Sequence, residues 1–234
     1  MVKIKDITKV YGPKNGNFKI NINIEKGQVY GIVGPNGAGK TTLIRQILGF
    51  IKPNSGSITI NNLDAWKNRD LVMEFTGYVA GEIALYRDFT GIKYLNLVAD
   101  YKKNIDGEFV NKLIAHFEID TKVKIKKMSK GMKQKIAIIA ATMHKPSFLV
   151  LDEPTSGLDP VMQGQFNTLI AKLKNDYQST IIICSHIFEE VVTLSNRVGF
   201  LKEGSIVDEY EVKENDINTL NAKFREIFKK ESIL

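Results

Sequence analysis

Cysteine is all but missing: Cys184 is the sole example in 234 residues. A lone thiol excludes an internal disulfide framework, and its place inside the apolar run "TIIICS" reads as a small buried hydrophobe. Long apolar stretches are missing as well. The best candidates, "IAIIAATM" and "TIIICS", fall under half of the about 18 to 20 residues that a membrane-crossing helix takes. The opening "MVKIKDITKV" alternates like a strand and lacks the apolar centre of a secretion signal. These absences predict a cytoplasmic protein outside any oxidising compartment. No linker rich in proline or glycine, internal repeat or low-complexity tract interrupts the chain, so nothing divides it into independent domains.

What is present supports a sizeable core. An apolar content of 43% at this length suits one large α/β domain carrying a subdomain. The formal charge of +7 is unevenly placed. Lys122, Lys124, Lys126, Lys127, Lys130, Lys133 and Lys135 crowd the segment from Thr121 to Lys135, which has no acidic residue. Composition alone leaves nucleic acid, an anionic membrane surface and a phosphate-rich ligand open as partners, and a solvated face is the plain alternative.

Hydrophobic periodicity orders the elements. "FKININI" alternates, "GQVYGIVG" is a buried strand ending in glycine, a helix opens at Lys40, and "SGSITINN" is a strand closed by an Asn61-Asn62 turn. "DLVMEFTGYVA" leads into a mainly helical middle from about Asp88 to Met143. The second half returns to alternation: the strand "FLVLD", the helix "PVMQGQFNTLIAKLKND", the strand "TIIICS", the helix "IFEEVVTLS" and the hairpin-like "RVGFLKEGSIVDEYEV". Strands alternating with helices imply a largely parallel sheet with ligands at its carboxyl edge, and the helical middle reads as an insertion.

One bend carries most of the chemistry. Gly34, Pro35, Asn36, Gly37, Ala38, Gly39, Lys40 and Thr41 satisfy G-x-x-x-x-G-K-[ST], with a strand before and a helix after. Glycines let successive amide N–H groups face one anion, and the helix start adds partial positive charge. Lys40 would neutralise the β and γ phosphates of a nucleoside triphosphate, Thr41 would reach magnesium, and Thr42 would assist at the α phosphate. The matching carboxylates come in "SFLVLDEPTSGLDP": Asp152 at a strand end for magnesium, and Glu153 to accept a proton from the attacking water.

"GPNGAGKTT", "SKGMKQK", "LVLDEPTSGLD" and "CSH" stand in the order and approximate spacing found in the ATP-binding subunit of ABC transporters, which the whole chain resembles. The resemblance implies a P-loop NTPase core of the RecA-like kind, an antiparallel β subdomain, and a helical subdomain inserted at about 83–145 in a single domain spanning 1–234. It implies ATP and Mg2+ as cofactors, Tyr11 as the aromatic that stacks on adenine, and His186 as the histidine at the γ phosphate. Ser156 to Asp159 resembles the loop that meets a facing subunit. "MSKGMKQKIAIIAATM" resembles the signature that reaches the ATP of another copy. There Ser129 offers a hydroxyl, Gly131 permits close backbone approach and the helix start supplies charge. The implied assembly is a head-to-tail pair, homodimer or heterodimer with a sister ATPase, in which Lys40, His186 and the opposing signature stabilise the transition state.

The chain departs from the usual pattern twice. Lys130 stands where glycine is common and Met132 where glutamine is common, a form that resembles bacterial exporters of drugs, antibiotics or amphipathic peptides. In "GYVAGE", Gly81 occupies the place of a magnesium-side glutamine, and Glu82 or a water is expected to take over its role. With no membrane helix of its own, such a subunit would power a separate integral membrane permease docked near Glu82 to Tyr94, on the inner face of the cell membrane. A soluble adaptor or assembly-factor ATPase is the main alternative. A ribosome-associated protein would resemble two such domains in one chain, so nucleic acid is not an expected partner. A helix at about 215–231, with Ile217, Leu220, Phe224, Ile227 and Phe228 on one face, is expected to pack on its own domain.

Overall fold

A computed structural model describes residues 1–13, 15–102, 105–185, 187–213 and 217–228. The chain begins with β1 (Val2–Gly12), β2 (Asn15–Ile24), β3 (Val29–Val33) and α1 (Lys40–Ile47). It continues through β4 (Ser55–Ile60), β5 (Leu63–Asp64), α2 (Arg69–Glu74), β6 (Thr76–Val79), α3 (Gly91–Tyr101), α4 (Gly107–His116) and α5 (Lys130–Thr142). It ends with β7 (Phe148–Asp152), α6 (Pro160–Tyr177), β8 (Thr180–Ser185), α7 (Phe188–Leu194), β9 (Arg197–Lys202), β10 (Ser205–Glu211) and α8 (Ile217–Phe228). "DLVMEFTGYVA" thus divides into the end of α2 and β6, a split that its mixed apolar pattern does not announce. Two compact units result, Met1–Val72 with the chain from Ile182 onward, and Met73–Ile181.

The first unit holds a four-stranded sheet in the order β2-β1-β4-β5. Its pairings are antiparallel, and alternation along β2 buries Ile20, Ile22 and Ile24. The Asn61-Asn62 turn has φ of 49° and 64°, the backbone twist that a tight hairpin asks of both central residues. A second sheet of this unit sets β3 beside β9 in parallel, from Tyr30 opposite Arg197 to Val33 opposite Phe200, with β10 antiparallel on the far side of β9. Every residue of β3 is buried, as a strand covered on both faces requires. Cys184 is likewise buried, in β8. At the carboxyl end α8 packs on its own unit: Phe224 stacks on Phe188 and Phe228 at ring-centroid distances of 4.9 and 4.6 Å.

The second unit is built around α5. Gln134, Lys135, Ile136, Ile138, Ile139, Ala140, Ala141 and Thr142 are all buried along this helix, so it is covered nearly all round. β6 and β7 pair in parallel, Thr76 opposite Phe148 through Val79 opposite Leu151. Each helix of this unit whose start is capped uses a side chain that the sequence displays. Thr90 accepts from Lys93 N, Asp106 from Glu108 N and Phe109 N, Ser129 from Met132 N, and Asp159 from Met162 N. The lysine-rich segment is not one solvated face. Lys126 pairs with Asp88 at 2.8 Å, while Lys135 is buried and donates to Phe117 O at 2.5 Å. Among the described residues no helix is long and apolar enough to cross a membrane.

Candidate functional site

In the first unit the phosphate loop joins β3 to α1. Gly34 has no room for a side chain, since a Cβ there would stand 2.3 Å from Leu201 O. Gly39 has φ of 104° and a Cβ on it would meet Asn17 Nδ2 at 2.6 Å. Gly39 is also the N-cap of α1, and no side chain caps that helix start. Lys40 is only 7% exposed, with Nζ donating to Gly34 O at 2.6 Å and Pro35 O at 3.3 Å. The ammonium therefore lies back across the loop rather than out in solvent. Gly204 N donates to Ala38 O at 2.9 Å, which ties the loop to the β9–β10 turn. Thr41 is exposed and Thr42 partly so.

Asn17 and Gln46, which sequence reasoning missed, support this loop. Asn17, fully buried in β2, donates through Nδ2 to Gly39 O at 3.3 Å and accepts Gln46 Nε2 at 2.8 Å on Oδ1. An asparagine in an alternating strand carries no signal of this role, because only folding brings β2 against the start of α1. Tyr11, at 54% exposure near the end of β1, presents a ring with Lys9 Nζ 5.6 Å from its centroid. Such an exposed aromatic suits a stacking platform.

The carboxylates lie in the second unit. Asp152 closes β7 and is 4% exposed. Glu153 follows it with φ of 50°, a left-handed conformation uncommon for a residue other than glycine, asparagine or aspartate. Observed backbone strain of this kind gathers where a side chain must be held in one direction. Ser156 N donates to Glu153 O at 3.2 Å and Leu158 N to Thr155 O at 2.9 Å, so the loop after the acid is folded on itself. Gly81 sits against Asp152, where a Cβ would be 3.5 Å from its Cγ. Glu82, next along the chain, is exposed. Ser129 uses its Oγ to accept Met132 N at 3.2 Å, which leaves its O–H free to donate elsewhere. Gly131 is packed near Met162 Cε, at 3.4 Å from its would-be Cβ. Asp159 is committed as the cap of α6. The structure therefore gathers Gly81, Asp152 and Glu153, and separately Ser129 and Gly131, within one unit. His186 lies outside the described residues.

Comparison with known proteins gives one consistent answer. The family profile described as ABC transporter matches residues 18–156, which is more than half of the chain. The bacitracin transport ATP-binding protein BcrA of Bacillus licheniformis is 38% identical over 213 residues, covering 89% of this chain and 69% of that protein. The lantibiotic transport ATP-binding protein SrtF of Streptococcus pyogenes is 36% identical and covers 92% of this chain and 93% of its own. In fold, a dimeric ATP-binding cassette in a post-hydrolysis state with ADP and Pi superposes with a TM-score of 0.83 at 24% identity, over 91% of this chain and 99% of that one. With a strand-loop-helix phosphate site, an Asp-Glu pair at a strand end and a capped signature helix on one chain, this protein belongs to the ABC transporter family.

Proposed function

We propose that the chain powers a separate membrane permease that exports an antibiotic or peptide, working from the inner face of the membrane as one half of a pair of ATPase subunits. The observation that carries the catalytic part is Glu153, held at φ of 50° immediately after the buried Asp152. In this reading Glu153 accepts the proton of the water that attacks the γ phosphate. Lys40 and the loop from Gly34 to Thr41 hold the phosphates, Thr42 assists, and Tyr11 stacks on the base. Ser129, Gly131 and the start of α5 complete the nucleotide site of the partner subunit, and Asp159 anchors the loop that meets it. His186 is assigned to the γ phosphate on the family resemblance alone.

Magnesium suits the residues available. The donors proposed for it, Thr41 and Asp152, are oxygens. Such donors suit an ion that takes one or two protein ligands and completes its shell with phosphate and water. Asp152 and Thr41 would hold it. Gly81 places only backbone beside Asp152, so water or Glu82 serves where a glutamine side chain is usual. When bound, the ion supplies positive charge to the β and γ phosphates.

The permease is placed at a cavity of about 300 Å3 in the second unit, lined by Ile83, Ala84, Leu85, Tyr94, Ala137 and Ala141. Its mainly apolar lining fits an inserted apolar side chain of a partner. Transport is favoured over a soluble adaptor role by the near end-to-end likeness to SrtF, and BcrA and SrtF are named for bacitracin and lantibiotic transport. The test is Glu153→Gln in the full chain. It is expected to abolish turnover and to accumulate an ATP-bound dimer, read by light scattering, and the wild-type chain is expected to copurify with a multi-spanning membrane protein. A fully active Glu153→Gln variant would remove that residue from its role, and an exclusively soluble partner set would favour the adaptor.

A further inference from the structure

α5 opens on a residue that helix electrostatics disfavours. Lys130 is the first helical residue after the Ser129 cap, and the first turn has no acidic side chain to offset it. A cation there meets the positive end of the helix dipole. Local conflicts of this sort concentrate where function overrides stability.

The lysine side chain is not simply solvated. Its Nζ donates to Ser156 Oγ at 3.3 Å. Its Cδ, Cε and Nζ lie across Gly157, where a Cβ would stand 3.0, 3.1 and 3.2 Å from them. Gly157 has φ of 85°, so the residue that admits the lysine is also the one that the turn itself requires. Two more contacts join the same two segments. Gln134 Nε2 donates to Pro154 O at 2.5 Å, and a Cβ on Gly131 would stand 3.7 Å from Gly157 O. Ser156 N in turn donates to Glu153 O at 3.2 Å. A continuous path of contacts therefore runs from the first residue of the signature helix to the backbone of Glu153.

We infer that Lys130 is a positioning residue that couples the signature turn, lent to the partner subunit's nucleotide, to the loop behind this chain's own Glu153. The inference rests on the two-subunit reading above. When the signature turn closes on phosphate, the ammonium–hydroxyl bond and the Gly157 contact carry its displacement to Ser156, and so to the carbonyl of Glu153. Closure at one nucleotide thereby sets the catalytic base at the other. Glycine, usual at this position, has no side chain with which to do this.

The test is a double-mutant cycle on steady-state ATP hydrolysis by the full chain, with Lys130→Ala, Ser156→Ala and both together. Each single variant is expected to lower kcat about three- to tenfold with KM for ATP unchanged, and the double to lose no more than the weaker single variant. Lys130→Arg, which keeps a donor, is expected to recover most of the rate. Without nucleotide, hydrogen exchange at the Ser156 and Leu158 amides should quicken in Lys130→Ala and stay unchanged in Lys127→Ala, an exposed neighbour. Losses that multiply in the double variant, or a raised KM in Lys130→Ala, would overturn the coupling and make Lys130 a direct phosphate contact. Dimer formation by Glu153→Gln, measured alongside, separates the two layers. A dimer with multiplicative losses sinks only the coupling, and no dimer sinks the two-subunit reading with it.

Discussion

The two units hold their parts of the chemistry by different means. In the first, the phosphate loop is shaped by backbone: Gly34 against Leu201 O, Gly204 N on Ala38 O, and a helix start with no side-chain cap. In the second, the start of α5 and the loop after Glu153 are shaped by side chains: Ser129 and Asp159 cap the helices that follow them, and Lys130 and Gln134 bond across to that loop. The difference fits the roles proposed for the two regions. A loop that wraps a chain of phosphates with its own amides has to keep side chains out, whereas a surface that completes another subunit's site has to be presented as a stiff block.

The sharpest way to break the comparison is Glu153→Gln, expected to lower kcat about 10²- to 10⁴-fold, as the loss of a general base does, with melting temperature little changed. Survival of most of the activity would move catalysis away from the second unit. Next in size, Gly34→Val drives side-chain atoms into Leu201 O. It is expected to cost roughly 2–3 kcal/mol in denaturant unfolding and to abolish binding of a fluorescent ATP analogue. Tolerance of valine would show that the loop is not constrained by backbone approach.

Asn17→Leu sharpens the comparison from within the first unit. It leaves Gln46 Nε2 buried without its 2.8 Å partner and is expected to cost about 1–3 kcal/mol, with ATP affinity falling alongside. Unchanged affinity at reduced stability would confine Asn17 to the scaffold.

The second unit holds a partly buried histidine. His144 Nε2 donates to Thr76 O at 3.2 Å. Burial, aided by the nearby Lys102 charge, depresses its pKa to about 4. The unfolded chain binds more protons between this value and the ordinary 6.5. Stability attributable to His144 is therefore complete above about pH 6.5 and is lost as pH falls toward 4. His144→Gln, which keeps a donor for Thr76, is expected to flatten the stability profile over that window, an effect on the order of 2 kcal/mol at its acid end. An unaltered acid limb would place the responsible group elsewhere. The smallest effect expected is Ser129→Ala, about 1 kcal/mol of helix stability, together with weaker ATP-driven dimerisation.

Much of the site was legible from local chemistry. The strand-loop-helix context of Gly34 to Thr41 and the Asp152-Glu153 pair act over a few residues, and a few residues of sequence display them. Asn17 was invisible because its partners, Gly39 and Gln46, are brought to it only by the packing of β2 on the loop. Lys135 was counted with a charged cluster, yet α5 is buried over most of its length and turns that side chain toward Phe117 O. "DLVMEFTGYVA" gave no clear period because it crosses from a short helix into a short strand, each below the length at which periodicity speaks.

Sequence alone determined the nucleotide chemistry, because phosphate binding demands particular residue types at consecutive positions, and consecutive positions are what a sequence states. Only the tertiary structure decided which groups support that chemistry from a distance: Asn17 behind the loop, the left-handed backbone at Glu153, and Lys130 laid over Gly157. Those depend on chain segments meeting across the fold, and the energies that bring them together belong to the packed core rather than to any short stretch of residues.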